Sequence, residues 1–179
     1  MVYVFLADGF EEVEALAPVD ILRRAGVQVQ TVGIGGQTVS GSHGIPVVCD
    51  ITERDVTTDG LQAVVLPGGM PGTTHLDRSR VVTKFLEFAD AHELVIGAIC
   101  AAPSVLGHKG LLRGKQATCF PGFEKELAGA SLLPDAVVTD GRIVTAKGAG
   151  VAIPFGLALV AALVSPEKAE AVRVSMQCP

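Results

Sequence analysis

The chain has 179 residues and a formal net charge of -5, with acidic and basic side chains interspersed along it. This length fits one domain, and the lack of a basic stripe makes nucleic acid an unlikely partner. Hydrophobic residues make up 49% of the sequence, glycine occurs 21 times, and there is no tryptophan. This composition is typical of α/β domains, in which glycines occupy tight turns between buried strands and helices.

The four cysteines form no C-x-x-C pair, and no histidine cluster lies near them at metal-ligand spacing. They are Cys49, Cys100, Cys119 and Cys178. A zinc site is therefore not expected, and a chain with this much apolar material needs no disulfides. We predict free thiols, no metal and no cofactor.

Two stretches of sequence bear on location. The chain starts with a strand-like run at Val2–Ala7 where a secretory signal would have a basic region, so we expect a cytoplasmic protein. The uncharged stretch Gly148–Pro166 contains Pro154, and its apolar run is short for a bilayer span. We therefore expect a buried helix there and no membrane association.

Strands and helices alternate in the first half of the chain. A buried strand is predicted at Tyr3–Leu6, followed by a helix to about Ala25 that Asp8 caps. Glycines and alternating apolar residues predict a hairpin or flap over residues 35–50. The other predicted elements are strands at 27–32, 63–66 and 94–99 and a helix at about 79–92.

The second half continues the pattern. A helix is predicted at 101–108, a short strand ends at Cys119, and strands at 137–139 and 143–145 flank a turn at Asp140–Gly141. Two helices, from about Gly150 and about Pro166, complete the chain. Nearly continuous apolar strands alternating with helices predict an α/β fold with a mostly parallel sheet covered on both faces.

Cys100 lies where a core strand changes into a helix, between small residues on both sides. A sharp turn of this kind exposes a nucleophile at the carboxyl edge of a sheet. Free N–H groups and the dipole of a helix start predict a thiol pKa below the usual value of about 8.5. The alternative is that Cys100 is only a small buried hydrophobic residue.

Two further loops leave the same edge of the sheet. Gly68 and Gly69 follow a core strand, which lets backbone N–H groups approach a ligand or an oxyanion, although the segment could be an ordinary turn. The first loop leads into Glu11, Glu12 and Glu14, acids that also suit the first turn of a helix. If Glu14 is buried beside Cys100, its pKa rises and it can exchange a proton with the thiol.

An ordered set of motifs resembles the ThiJ/PfpI superfamily, and within it the YajL-like branch that includes the parkinsonism-associated protein deglycase. The segments that carry the resemblance are Asp8–Glu14, Pro18–Asp20, Arg23–Gly26, Leu66–Gly69, Ala98–Pro103 and Gly148–Gly150. It covers essentially the whole chain, so we expect a single ThiJ/PfpI-like domain over residues 1–179.

The resemblance implies a flavodoxin-like three-layer sandwich that forms homodimers. It implies that Cys100 is the reactive, oxidisable thiol, that Glu14 hydrogen-bonds to it, and that Gly69 and Ala101 supply backbone N–H groups. The family is credited with cofactor-free conversion of small aldehydes and dicarbonyls, repair of early glycation adducts, oxidative-stress sensing, and chaperone activity on unfolded proteins.

Three positions depart from patterns within the superfamily. Phe120 stands where some members have a histidine, so a Cys–His–Glu arrangement is not carried over. His43 aligns with an arginine of some relatives, which changes the expected charge of the pocket. The protease-like branch has histidine directly after its nucleophile, and Ala101 at that position argues against peptidase activity. We expect His43, Phe120, Glu11, Gly68 and Gly148 to line the site.

Besides a small-molecule binding domain without chemistry, three functions remain open from the sequence. In the first, Cys100 and Glu14 convert dicarbonyls or early glycation adducts, as a glyoxalase or deglycase. In the second, Cys100 is oxidised to a sulfinate and the protein is a redox sensor or chaperone without physiological catalysis. A thiamine-pathway (thiazole) enzyme is the third, and no phosphate-binding glycine pattern supports it.

Overall fold

The computed structural model describes residues 1–178, and in this part of the chain it contains eleven strands and six α-helices. The strands are β1 (Val2–Leu6), β2 (Val29–Gly33), β3 (Thr38–Ser40), β4 (Pro46–Val48), β5 (Ile51–Thr52), β6 (Ala63–Leu66), β7 (Val95–Ile99), β8 (Gln116–Ala117), β9 (Ser131–Leu132), β10 (Val137–Asp140) and β11 (Ile143–Ala146). The helices are α1 (Glu12–Arg24), α2 (Gly72–Arg78), α3 (Arg80–Ala91), α4 (Pro103–His108), α5 (Ala152–Leu163) and α6 (Pro166–Ser175).

Seven strands form the central sheet in the spatial order β10-β11-β7-β6-β1-β2-β5. Every neighbouring pair is parallel except β10 and β11, which form an antiparallel hairpin at one edge. Residues of β1, β6 and β7 are almost all buried, as expected for strands covered on both faces. The predicted mostly parallel sheet is confirmed.

Helices cover both faces of this sheet, which gives three layers. On one face α1, α5 and α6 pack with alternate strand residues such as Val4 and Val65. On the other face α3 and α4 pack on Phe5, Val64 and their neighbours. Each face has its own hydrophobic core because successive side chains of a strand point to opposite sides.

The carboxyl edge of the sheet collects the loops that follow β1, β6, β7 and β11. The chain passes from β1 to β2 on one side and later adds β6 on the other side of β1, so the strand order reverses beside β1. Open α/β sheets bind ligands in the crevice at this point. The three loops singled out from the sequence therefore meet at one place.

Most predicted elements agree with the structure, and the differences are local. Helix α1 begins at Glu12 and its N-cap is Glu11, so the prediction that Asp8 caps it was wrong. The Asp8 carboxylate instead accepts a hydrogen bond from the Ser40 N–H. The turn between β10 and β11 falls on residues 141–142, one position later than predicted.

Some short elements have no clear sequence pattern. Helix α2 and strands β5 and β9 were not predicted, whereas the predicted short strand before Cys119 is present as β8, paired in parallel with β9. The predicted hairpin at residues 35–50 is present as antiparallel β3 and β4. The apolar stretch before Pro166 forms α5, and among the described residues no helix is long and apolar enough to span a bilayer.

Candidate active site

Cys100 lies directly after β7 in a strained backbone conformation, with a φ angle of 65°. Non-glycine residues rarely adopt this left-handed region, and such residues cluster at functional sites. Two hydrogen bonds fix the position: the Cys100 N–H donates to Ala146 O at 2.8 Å, and its carbonyl accepts from the Phe120 N–H at 2.8 Å. The predicted sharp turn at the thiol is therefore present, and the side chain is half-buried.

Glu14 faces this thiol from the first turn of α1. The residue is 1% exposed, its carboxyl group is hydrogen-bonded to Cys100, and it accepts hydrogen bonds from the N–H groups of Gly68, at 2.9 Å, and Ala149. Helix α1 can begin here because the Glu11 carboxylate accepts the Glu14 N–H at 2.7 Å. A carboxyl group and a thiol thus share a hydrogen bond in a nearly closed space.

The thiol also receives two backbone donors, the N–H groups of Gly69 and Ala101. Gly69 has a φ angle of +87°, and a Cβ there would lie 2.4 Å from the Glu11 nitrogen. A Cβ on Gly68 would lie 2.6 Å from Cys100 Cβ and 2.7 Å from Glu14 Oε2. A side chain at Gly68 would meet the pair, and one at Gly69 would meet the backbone of residues 9–11, so both positions require glycine.

Burial dominates the protonation of the pair. It raises the pKa of Glu14 to about 7, and the charge of Glu11 raises it further. Hydrogen bonds from Cys100, Gly68 and Ala149 lower this pKa and so oppose the effect of burial. Burial also raises the pKa of Cys100 to about 12, with an ionised Glu14 adding to the effect and the two backbone donors opposing it. The prediction that a helix start lowers the thiol pKa is wrong for the thiol beside an ionised Glu14, where burial and that charge raise it, and α4 begins only at Pro103.

These two values belong to the pair and not to either group alone. Two adjacent anions in a half-buried site repel each other, so the pair holds one proton over a wide range above pH 7. That proton can sit on the carboxyl group, which leaves a thiolate, or on the sulfur. An arrangement with one shared proton, backbone donors on both sides and a half-exposed sulfur can support nucleophilic addition and proton transfer.

Phe120 and Gly148 border the pair on the side of β11. A Cβ on Gly148 would lie 3.3 Å from the Phe120 ring and 3.8 Å from Glu14 Oε1, so the ring and the carboxyl group border the same small space. Phe120 is 47% exposed, which places it at the mouth of the site. A phenyl ring cannot exchange protons, so Glu14 is the titratable side chain in hydrogen-bond contact with the thiol.

His43 lies on the hairpin between β3 and β4, at the rim of the site and not in its interior. Its side chain is 71% exposed, and Nδ1 lies 3.0 Å from Glu12 Oε2 and 3.9 Å from Glu11 Oε1. Glu12 also accepts the His43 N–H at 2.8 Å. Its carboxylate thereby anchors the hairpin to α1.

Glu12 itself was missed as a site-forming residue, because an acid in a first helical turn has an ordinary explanation and its partner is 31 positions away. The hydrogen bond to Glu12 raises the pKa of His43, which favours its charged form.

Glu11, Glu12 and His43 are also the one group of potential metal ligands found in residues 1–178, with ligand atoms within 4.8 Å of one another. The carboxylate of Glu12 is already occupied by donors from the hairpin. These contacts within the chain satisfy the Glu12 carboxylate, and we assign no ion to the group.

The profile of the DJ-1/PfpI family matches residues 1–162. The chain belongs to the DJ-1/PfpI family. It is 37% identical over 171 residues to Protein DJ-1 homolog B of Arabidopsis thaliana, covering 94% of this chain but only 39% of that relative. It is 34% identical over 160 residues to the glutathione-independent glyoxalase DJR-1.2 of Caenorhabditis elegans, covering 88% of this chain and 85% of the relative.

The fold comparison agrees with the family assignment. The crystal structure of Drosophila melanogaster DJ-1beta superposes with a TM-score of 0.94 at 34% identity, over 99% of this chain and 97% of that one. The predicted flavodoxin-like three-layer sandwich and the resemblance to this superfamily are both confirmed.

Proposed function

We propose that this protein converts small dicarbonyls to 2-hydroxy acids, and repairs early glycation adducts by the same chemistry, using Cys100 as nucleophile and Glu14 as proton carrier. The observation that carries the proposal is the Cys100–Glu14 hydrogen bond beside the backbone donors of Gly69 and Ala101. A glyoxalase among the relatives supports the same reaction class. In this proposal residues 1–179 act as one domain.

The reactive form has the shared proton on Glu14 and the negative charge on sulfur. Each group accepts two backbone N–H donors, but Glu14 is 1% exposed whereas the thiol is only half-buried, so water reaches a charge on sulfur more easily than one on the carboxyl group. With Glu14 protonated, the charge that opposes thiol ionisation is gone and its O–H donates to the sulfur.

The first step joins the thiolate to the aldehyde carbon of a 2-oxoaldehyde. As the C–S bond forms, the carboxylic acid of Glu14 gives its proton to the aldehyde oxygen, which yields a hemithioacetal and leaves Glu14 ionised. The N–H groups around the thiol stabilise charge near the reacting carbon.

The ionised Glu14 then takes the hydrogen of the former aldehyde carbon as a proton and returns it to the neighbouring carbon. The hydroxyl proton on the former aldehyde carbon passes to the carbonyl oxygen of that neighbour. The first carbon is oxidised to a thioester and the second is reduced to an alcohol, so no external electron acceptor is required. Water hydrolyses the thioester, which releases the 2-hydroxy acid and the thiol. With Phe120 in place of a histidine, Glu14 carries the proton in both directions.

Lactate formation from methylglyoxal by the purified protein tests this proposal. Wild type and Cys178→Ser, a control that removes another partly buried thiol, should both form lactate. Cys100→Ala and Glu14→Gln should lower the rate at least about 100-fold, as expected when a nucleophile or a proton carrier is removed. Lactate formation that is undiminished in Cys100→Ala would rule the proposal out.

A redox sensor or chaperone is the second candidate. The half-exposed Cys100 sulfur is the oxidisable atom, and the donors from Glu14, Gly69 and Ala101 suit a sulfinate as well as a thiolate. Intact-mass analysis and peptide mapping after mild peroxide test it. The redox-sensor hypothesis predicts that Cys100 gains two oxygen atoms, as a sulfinate. It is wrong if only other cysteines are oxidised.

We also propose a cytoplasmic homodimer. The outer face of α1 and the start of α5 carry Val13, Leu16 and Ile153, which are exposed. A cavity of about 570 Å³ opens beside them, lined mainly by apolar residues. Sedimentation of the purified chain decides between monomer and dimer, and Leu16→Glu should shift the equilibrium toward monomer.

A further inference from the structure

An apolar side chain lies at the mouth of the site. Phe120, 47% exposed, borders Glu14 from the β11 side. A substrate bonded to the Cys100 sulfur lies beside this ring.

The other side of the mouth carries acids. Glu11 and Glu12 lie at the start of α1, and His43 pairs with Glu12 and so offsets only part of their charge. This side disfavours a substrate with a carboxylate of its own. The two sides together fit a ligand that is uncharged and has an apolar substituent.

We propose that Phe120 is a specificity-determining residue that makes this site prefer 2-oxoaldehydes with an aromatic or large apolar substituent over methylglyoxal. The inference deepens the proposed function and rests on it. Once the aldehyde carbon is bonded to sulfur, the substituent on the neighbouring carbon projects toward the mouth. A phenyl substituent can pack there against the Phe120 ring, whereas a methyl group leaves the ring in water.

The position of the ring supports this role. The Phe120 N–H is hydrogen-bonded to the Cys100 carbonyl, so its backbone is fixed to the turn that carries the thiol. Gly148, which has no side chain, leaves open the space that a Cβ would occupy between the ring and the carboxyl group. A histidine at position 120 would offer a proton, but phenylalanine offers only apolar area and an aromatic face.

The test compares kcat/KM for phenylglyoxal and methylglyoxal in wild type and Phe120→Ala. The phenylglyoxal preference is the ratio of the two kcat/KM values. Comparing this preference between wild type and variant cancels the difference in intrinsic reactivity between the two substrates. An aromatic contact at a half-exposed site predicts that Phe120→Ala lowers the phenylglyoxal preference about three- to tenfold. Phe120→Leu should retain part of the preference. Val174→Ala, which trims an exposed apolar residue of α6, should retain all of it.

A second measurement separates this inference from the proposed function. Benzaldehyde and acetaldehyde have no second carbonyl, so they can occupy the thiol without turnover. Their protection of Cys100 against iodoacetamide, compared in wild type and Phe120→Ala, reports the same contact. If dicarbonyls are not converted but the benzaldehyde advantage still depends on Phe120, only the proposed function fails. If dicarbonyls are converted and Phe120→Ala leaves both selectivities unchanged, the inference is overturned.

Discussion

Replacing Glu14 by leucine removes the O–H donor from the sulfur without placing a charge beside it. The group is 1% exposed, so water does not take its place. A hydrogen bond to a charged group contributes about 1.5–3 kcal/mol, and each pKa unit corresponds to about 1.4 kcal/mol. We therefore expect the midpoint of thiol ionisation to rise by about 1–2 pH units in Glu14→Leu.

The assay is the rate of Cys100 alkylation by iodoacetamide as a function of pH, with the modified peptide identified by mass spectrometry. In wild type we expect the midpoint to lie below about 8.5, the value of a free cysteine, because Glu14 keeps the proton in the proposed reactive form. Glu87→Leu removes an exposed acid of α3 and should leave the midpoint unchanged. A midpoint that falls in Glu14→Leu would show that Glu14 is ionised beside the thiol and hinders it, and the proposed reactive form would then be wrong.

Three further results are expected. Gly68→Ala places a Cβ 2.6 Å from Cys100 Cβ, so it should lower the free energy of unfolding by about 1–3 kcal/mol in urea titrations and slow turnover; unchanged stability and activity would contradict the tight packing. His108 holds one carboxylate on each ring nitrogen, at 2.9 and 2.8 Å, and these hydrogen bonds raise its pKa. These contacts should stabilise the folded protein by about 1 kcal/mol, because they are half-exposed. The stabilisation is complete below pH 6.5 and is lost as the pH rises through the folded-state pKa of His108. The melting temperature should therefore fall over this pH range in wild type but not in His108→Gln. Methylglyoxal conversion in D₂O should give lactate with incomplete deuterium at C2, because the buried Glu14 returns the proton that it removed; complete deuteration would point to exchange with solvent or a second base.

Elements with a strong local pattern were the ones that the sequence revealed. Strand β1 is a run of five buried residues, and the hairpin of β10 and β11 has a glycine at its turn with a φ angle of 60°. These signals lie within a few residues of one another, so they can be read without the fold. Helix α2 has seven residues and no side-chain cap, and local sequence gives such an element little support.

The site divides in the same way. The turn at Cys100 and the glycines before it are local features, and the sequence located them. The pKa of Cys100 depends on burial and on Glu14, which lies in a different element, so a rule about helix starts gave the wrong direction. The anchoring of His43 by Glu12 joins residues 31 positions apart and has no sequence signal of its own.

The location of the shared proton is the most direct test of the account. Carbon-13 NMR of protein labelled at glutamate carboxyl groups reports it, with Glu14→Gln identifying the signal. At pH 8 we predict that Glu14 remains a carboxylic acid in wild type, because in the proposed reactive form it keeps the remaining proton of the pair and the sulfur holds the charge. An ionised Glu14 at that pH would place the proton on Cys100 and contradict the proposed nucleophile.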